Sequence, residues 1–353
     1  MRSLTEEDSK RITALRFLLI VFVVFIHNNL SADEAISYYH LAFTEPIAIT
    51  WLKHCLCTVL GDAAVPLFFL FAGYLQFCKD DNYIVVLKKR AKSLLVPYIL
   101  WTLITILLYF VGQSFPAFSS FFQNENNIVR NWSIVDWLNL LWVHDEIYPL
   151  VFQFWFLRDL IVLIVISPPL QWLARRAPVA VLIVTTLCFL NGLPFGFGTA
   201  LFFYMAGWYF AEYNVSFFKL ADKASWLEYA VLLVFVAVAT LALSNSIALH
   251  GFGIFISCLF FLKLSAQIIA RPRLFICTKW LASYSFFLYA IHAPFLGTML
   301  NKVSMRTIPL HGVGCLVQFV LPCFLCIVIG TGIGVLLKKL APPLFTLLNG
   351  SRR

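Results

Sequence analysis

Within the stretch ALRFLLIVFVVFIHNNL (14–30), Arg16 and His27 interrupt an apolar run long enough to enter a bilayer. Ionisable side chains are costly at membrane depth, and they mark partner groups, water-filled paths or reaction sites. The two lie eleven positions apart, about 16 Å of rise with an angular offset of only about 20° on an α-helix, so they share a face. His27 has the chemistry of a general base, and Arg16 offers a rigid fork for a carboxylate or phosphate. Asp62 falls about ten residues into the next apolar run, which returns from the far side. Its depth is expected to match that of His27, and its carboxylate to orient the imidazole.

The remaining ionisable groups at membrane depth are Arg158, Asp159, Lys263 and His292. Adjacent residues point about 100° apart on a helix, so Arg158 and Asp159 are expected to pair with other helices and not with each other. Lys263 is expected to snorkel. His292, two residues before Pro294, suits a helix–helix hydrogen bond as well as chemistry.

These groups need helices to hold them, and the composition supplies helices for lipid. The chain has 353 residues, 61% of them hydrophobic and 12% charged, with 36 Phe and 10 Trp; such a balance excludes a soluble globular domain and a disordered chain together. Apolar runs recur at about 12–30, 52–77, 94–111, 150–170, 178–191, 197–212, 226–244, 248–268, 280–300 and 313–337. The expectation is an all-α polytopic membrane protein of about ten transmembrane helices, one domain over 1–353, with the first run retained as helix 1 and not cleaved as a signal peptide. Most of the nine Cys, among them Cys188, Cys258, Cys315, Cys323 and Cys326, sit inside apolar runs and read as small packing residues.

With the N-terminus placed in the cytoplasm, 19 of the 26 basic residues fall in inner segments and only Lys53, Arg130, Lys302 and Arg306 in outer ones. By the positive-inside rule both termini are then cytoplasmic. The net charge of +9 reports orientation and not nucleic-acid binding. One long outer loop, about 112–149, carries Trp132, Trp137, Trp142, His144, Asp145 and Glu146. It reads as an interfacial aromatic segment, or alternatively as a surface of indoles and carboxylates for a sugar.

Five stretches in chain order resemble the acyltransferase 3 family of integral membrane O-acyltransferases. Arg16 and His27 are similar to its helix 1 motif, and VPLFFLFAGYLQF (65–77) to its second-helix signature, with Ala72-Gly73 where the family usually has Ser-Gly. LKKRAKSLLVPY (87–98) resembles its inner-loop arginine motif, with Lys88, Lys89 and Lys92 in place of some arginines; FWFLRDLIVL (154–163) and SYSFFLYAIHAPF (283–295) resemble two later segments.

The resemblance implies an O-acetyltransferase-type enzyme of the bacterial inner membrane, moving an acyl group from cytoplasmic acyl-CoA, usually acetyl-CoA, to a hydroxyl of an extracytoplasmic or lipid-linked glycan. On that reading His27 is the base, Arg16 and Asp62 complete the catalytic set, and Arg90, Lys89, Lys92 and Arg158 hold the donor. Asp159, His292, Trp155 and Trp142 are assigned to the acceptor or to support. No metal, permanently bound cofactor or nucleic acid is expected; the partners are acyl-CoA, the glycan and membrane lipid. A polysaccharide exporter or flippase is the competing class. The sequence shows none of the inverted repeats or Gly/Pro-broken helix pairs that would favour it.

Overall fold

The computed structural model describes residues 4–29, 44–79, 82–115, 127–144, 147–192, 197–244 and 246–351. Asp33, Glu34, Glu125, Asp145 and Glu146, all assigned to outer segments, and Arg2, Arg352 and Arg353 at the termini lie outside the described residues. Among the described residues the fold is helical throughout, with a single isolated bridge between Thr44 and His311.

Helix α1 (Glu6–His27) starts where the Thr5 hydroxyl accepts a hydrogen bond from the Asp8 amide, and Glu6, Glu7 and Asp8 occupy its positive end. Then come α2 (Ile47–Phe77) and α3 (Tyr83–Ser114), and α4 (Ile134–Asn139), a short helix closed by a Ser133/Asp136 capping box. Next are α5 (Trp155–Val165), α6 (Ser167–Arg176), α7 (Pro178–Leu190), α8 (Phe197–Glu212), α9 (Phe217–Lys223) and α10 (Trp226–Ala242). The chain ends with α11 (Ile247–Ile269), α12 (Pro272–Ala282), α13 (Ser285–Thr307), α14 (Val313–Leu340) and α15 (Pro342–Leu348).

Each of the ten apolar runs falls on helix, and among the described residues fewer than ten helices are long and apolar enough to cross a membrane. Four helices, α2, α3, α11 and α14, suffice alone, and seven crossings result if the bent pairs α5–α6, α9–α10 and α12–α13 each count as one. The other three runs lie on α1, which carries Lys10, Arg11 and Arg16, and on α7 and α8, of 13 and 16 residues, short of the roughly 20 a crossing needs. The pairs bend by 61°, 92° and 48°. Broken helices are therefore present, which corrects the expectation of none and removes that argument against a transporter.

The tightest crossing is α2 on α8. A Cβ added to Gly73 would stand 2.1 Å from the Tyr204 carbonyl oxygen, and one added to Gly207 would stand 2.4 Å from that of Leu70, so both positions exclude any side chain. Asp8 accepts a hydrogen bond from the Tyr74 hydroxyl at 2.9 Å, tying the start of α1 to α2. Arg11, 2% exposed, donates to both Asp222 carboxylate oxygens at 2.6 and 2.8 Å, to Ser265 Oγ and to the Leu262 carbonyl, and it lies over the Phe218 ring. That cluster fastens α1 to α9 and α11. Its residue was read from sequence only as an inner-side charge.

Candidate active site

The face of α1 formed by Thr13, Arg16, Ile20, Val23 and His27 repeats every three or four residues, the spacing of one helical stripe. Its first four members line a cavity of about 390 Å³. Val23 and His27 line a second cavity of about 220 Å³. Val23, Val65, Phe156 and Tyr289 belong to both walls, so the two cavities adjoin, and α1 contributes residues to each.

Three cations meet in the first cavity: Arg16 from α1, Arg90 from α3 and Lys279 from α12. Arg16 and Arg90 stand close enough for their charges to interact, and neither has a carboxylate partner among the described residues. Two guanidiniums facing one space without a counter-ion form a site for an anion. Immediately after Arg90, residues Ala91–Leu95 form a wider π-helical turn, an irregularity of the kind that accompanies functional positions. Lys89 and Lys92 are exposed and do not line either cavity; Lys279, read from sequence only as a topological charge, does.

His27 is enclosed by protein, yet its ring is accessible because it opens onto the second cavity. Its neighbours are Phe152, edge-on with ring centroids 5.0 Å apart, and His292, at 5.3 Å. His292 is fully buried and its Nδ1 lies 2.7 Å from the Tyr289 carbonyl oxygen. A carbonyl can only accept, so Nδ1 carries the hydrogen and Nε2 keeps its lone pair; that Nε2 has no hydrogen-bond partner among the described residues. The π-helical turn His292–Leu296, with Ala293 in extended backbone, aims this segment inward. Tyr289 donates its hydroxyl to the Gln153 carbonyl at 2.5 Å, and Gln153 Nε2 donates to the Ala290 and Ala293 carbonyls.

Asp62 faces the second cavity from a short 3-10 segment, Gly61–Ala63, that follows a π-helical stretch of α2. Its partner is His250 of α11, at 3.4 Å, and not His27. The expected Asp62–His27 pairing is thereby corrected, because depth along a helix leaves undetermined which neighbouring helix its side chain meets. His250 was not singled out from sequence, where it reads as the polar start of an apolar run.

Arg158 and Asp159 also depart from expectation. They pair with each other, Nε to Oδ1 at 2.9 Å, at the start of α5. The 100° between neighbours is bridged by the length of the arginine side chain. Arg158 also donates to the Trp142 and Ile147 carbonyls at 2.8 and 2.9 Å and sits 5.6 Å from the centre of the Trp142 ring. It is a latch on the loop after α4 and does not line either cavity. Trp142 is 55% exposed, whereas Trp155 lines the second cavity. In the same loop Trp132 makes edge contacts with Trp137 and His144. α4 exposes Ile134, Val135, Trp137 and Leu138, an apolar surface suited to an interface. Lys263 donates to the Asp222 and Ala224 carbonyls, the contact of a snorkelling lysine.

All five stretches quoted above converge on these walls: Arg16 and His27; Val65, Phe68, Phe71, Ala72 and Leu75; Arg90 and Leu94; Trp155, Phe156, Leu157 and Leu160; and Ser283, Ser285, Phe286 and Tyr289. Residues spread over the chain thus line two adjoining cavities, a polar-ended passage inside an apolar helical protein, the setting of a multi-pass membrane protein. The family model described as an acyltransferase domain, of the acyltransferase 3 type, matches residues 9–338, and the chain belongs to that family. Among curated proteins it is similar to the succinoglycan biosynthesis protein ExoH of Rhizobium meliloti (strain 1021), 26% identical over 365 residues that cover 98% of this chain and 92% of that protein. No solved structure matches.

Proposed function

We propose that the protein is an O-acyltransferase that takes an acyl group from cytoplasmic acyl-CoA and delivers it to a hydroxyl of a glycan, extracytoplasmic or lipid-linked, at the bacterial inner membrane. The observation that carries this reading is the passage whose ends differ in chemistry, with Arg16, Arg90 and Lys279 at one and His27 beside His292 at the other. Acyl-CoA has the matching asymmetry. Its phosphates dock on the cations by charge-assisted hydrogen bonds, and its thin apolar arm lies along the α1 stripe, which brings the thioester to His27. The acceptor hydroxyl loses its proton to His27 as its oxygen bonds the acyl carbon. The carbon–sulfur bond breaks, and the CoA thiolate leaves with a proton returned from the imidazolium. A glycan acceptor is supported by the relative named for succinoglycan biosynthesis and by Trp155 in the second cavity, since an indole face suits a sugar ring.

Both termini are proposed to be cytoplasmic, from the partition of basic residues. Cysteines placed at Asn131 and Ser351 in a background lacking the native ones report this: an impermeant thiol reagent on intact cells is expected to label Asn131→Cys alone. The three bent helix pairs favour a second reading, a glycan exporter or flippase without acyl chemistry. Membranes of the source organism, with and without this gene, separate the two when supplied with labelled acetyl-CoA. Label entering glycan only when the gene is present supports acyl transfer, and none entering with either membrane refutes the acyl-CoA donor.

A further inference from the structure

We infer that the reaction end of the passage selects uncharged acyl groups and rejects acyl groups that end in a carboxylate, with Asp62 as the residue that enforces the choice. This rests on the acyl-CoA reading above and deepens it by naming the donor class. The second cavity, where the acyl group sits while its carbonyl carbon is attacked, has Asp62 on its wall and neither Lys nor Arg among its described residues. The undescribed internal segments, 30–43, 80–81, 116–126, 145–146, 193–196 and 245, contain no Lys or Arg.

Arg16, Arg90 and Lys279 line the first cavity and not the second, and two further buried cations are engaged. Lys53 is 2.5 Å from Glu45, and Arg158 holds Asp159 and two loop carbonyls. Of the imidazoles, His250 already faces Asp62, and His292 has committed its Nδ1 hydrogen to Tyr289. His27 could answer a second carboxylate only as imidazolium, and in that form it has no lone pair with which to take the acceptor's proton. A succinyl-type terminus would therefore lie beside Asp62 with no Lys or Arg on the same wall to pair it, whereas an acetyl or butyryl chain of CH groups meets Val23, Val65, Phe156 and Ile254. An unpaired charge in such surroundings is strongly disfavoured.

The experiment compares acetyl-, butyryl- and succinyl-CoA as donors in membranes of the source organism that carry the native acceptor. Butyryl and succinyl chains share a four-carbon length and differ in the terminal carboxylate, which separates charge from size. Transfer of butyryl exceeding transfer of succinyl by roughly a hundredfold or more in kcat/KM is expected. Thr199→Lys, which adds a cation to the same wall, is expected to raise succinyl relative to butyryl by about tenfold or more, and Asp62→Asn to move the ratio in the same direction. Equal use of butyryl and succinyl, rejection of both in favour of acetyl, or a ratio unmoved by Thr199→Lys would each overturn the inference. No transfer from any of the three donors would instead overturn the acyl-CoA reading on which it rests.

Discussion

Arg11 and Arg16 sit five residues apart on the same helix and live by opposite rules. Arg11 faces the packed side of α1 and makes four hydrogen bonds there, to two Asp222 oxygens, Ser265 and the Leu262 carbonyl. Arg16 faces the cavity side, with Arg90 as its charged neighbour and no carboxylate. Arg158 and Arg90 repeat the contrast, the first held by Asp159 and two loop carbonyls, the second open to the cavity. An arginine paired with a carboxylate and with carbonyls inside the protein holds its elements together. One left without a counter-ion at a cavity has its donors ready for a ligand. The residue type is the same in each pair; its surroundings assign its role.

The contrast can be broken most decisively at the far end of the Arg16 face. His27→Ala is expected to reduce acyl transfer by about 10²- to 10⁴-fold, the usual contribution of a general base, with the detergent-solubilised melting temperature unchanged. Activity retained in that variant would remove the chemistry from the cavity side of α1, and activity lost only in step with the melting temperature would make His27 a packing group like Arg11.

On the packed side, Arg11→Met should lower stability by about 2 kcal/mol, because its charge-assisted hydrogen bonds to Asp222 are lost. Transfer per folded molecule should stay near the wild-type value. Thermal unfolding and specific activity measured on one preparation test this, and a dead enzyme with an unchanged melting temperature would erase the distinction between the two arginines.

Arg16→Gln and Arg90→Gln are expected to act the other way, raising KM for acyl-CoA about tenfold each through the loss of a charge-assisted contact to phosphate. Their melting temperatures should hold or rise, since the like-charge repulsion between the two is removed. Arg16→Lys should restore only part of the donor affinity, for a point charge replaces a fork. Steady-state kinetics at fixed acceptor separates these outcomes, and an unchanged KM would leave the paired guanidiniums without a ligand.

The smallest change sharpens the same line. Lys89→Gln and Lys92→Gln place no gap in the cavity wall, and KM is expected to shift by less than about twofold, the range of exposed charges. A shift as large as that of Arg90→Gln would extend the anion site beyond the cavity.

Much of the site could be read along single helices, because the helical period is a local property of the chain. Eleven positions put Arg16 and His27 on one face of α1, and that face is the one the cavities expose. The five ordered stretches likewise pointed to acyl transfer before their convergence was visible. Composition alone required lipid-facing helices, and each apolar run is helical. Counting crossings was less direct, since α7 and α8 are short and three helix pairs bend, and bends depend on what packs against them.

What only the tertiary structure decided is which helix each polar group meets. Arg11 and Asp222 are 211 positions apart, and no periodicity links them. Asp62 turned to His250 on α11, Arg158 folded back on Asp159 to hold a loop, and Lys279 entered the cavity although it reads as one more charge beside the membrane. A side chain's own helix sets its direction and depth. Its partner is set by how separate helices pack, and in a chain this apolar the few polar groups take whichever counterpart that packing brings within reach.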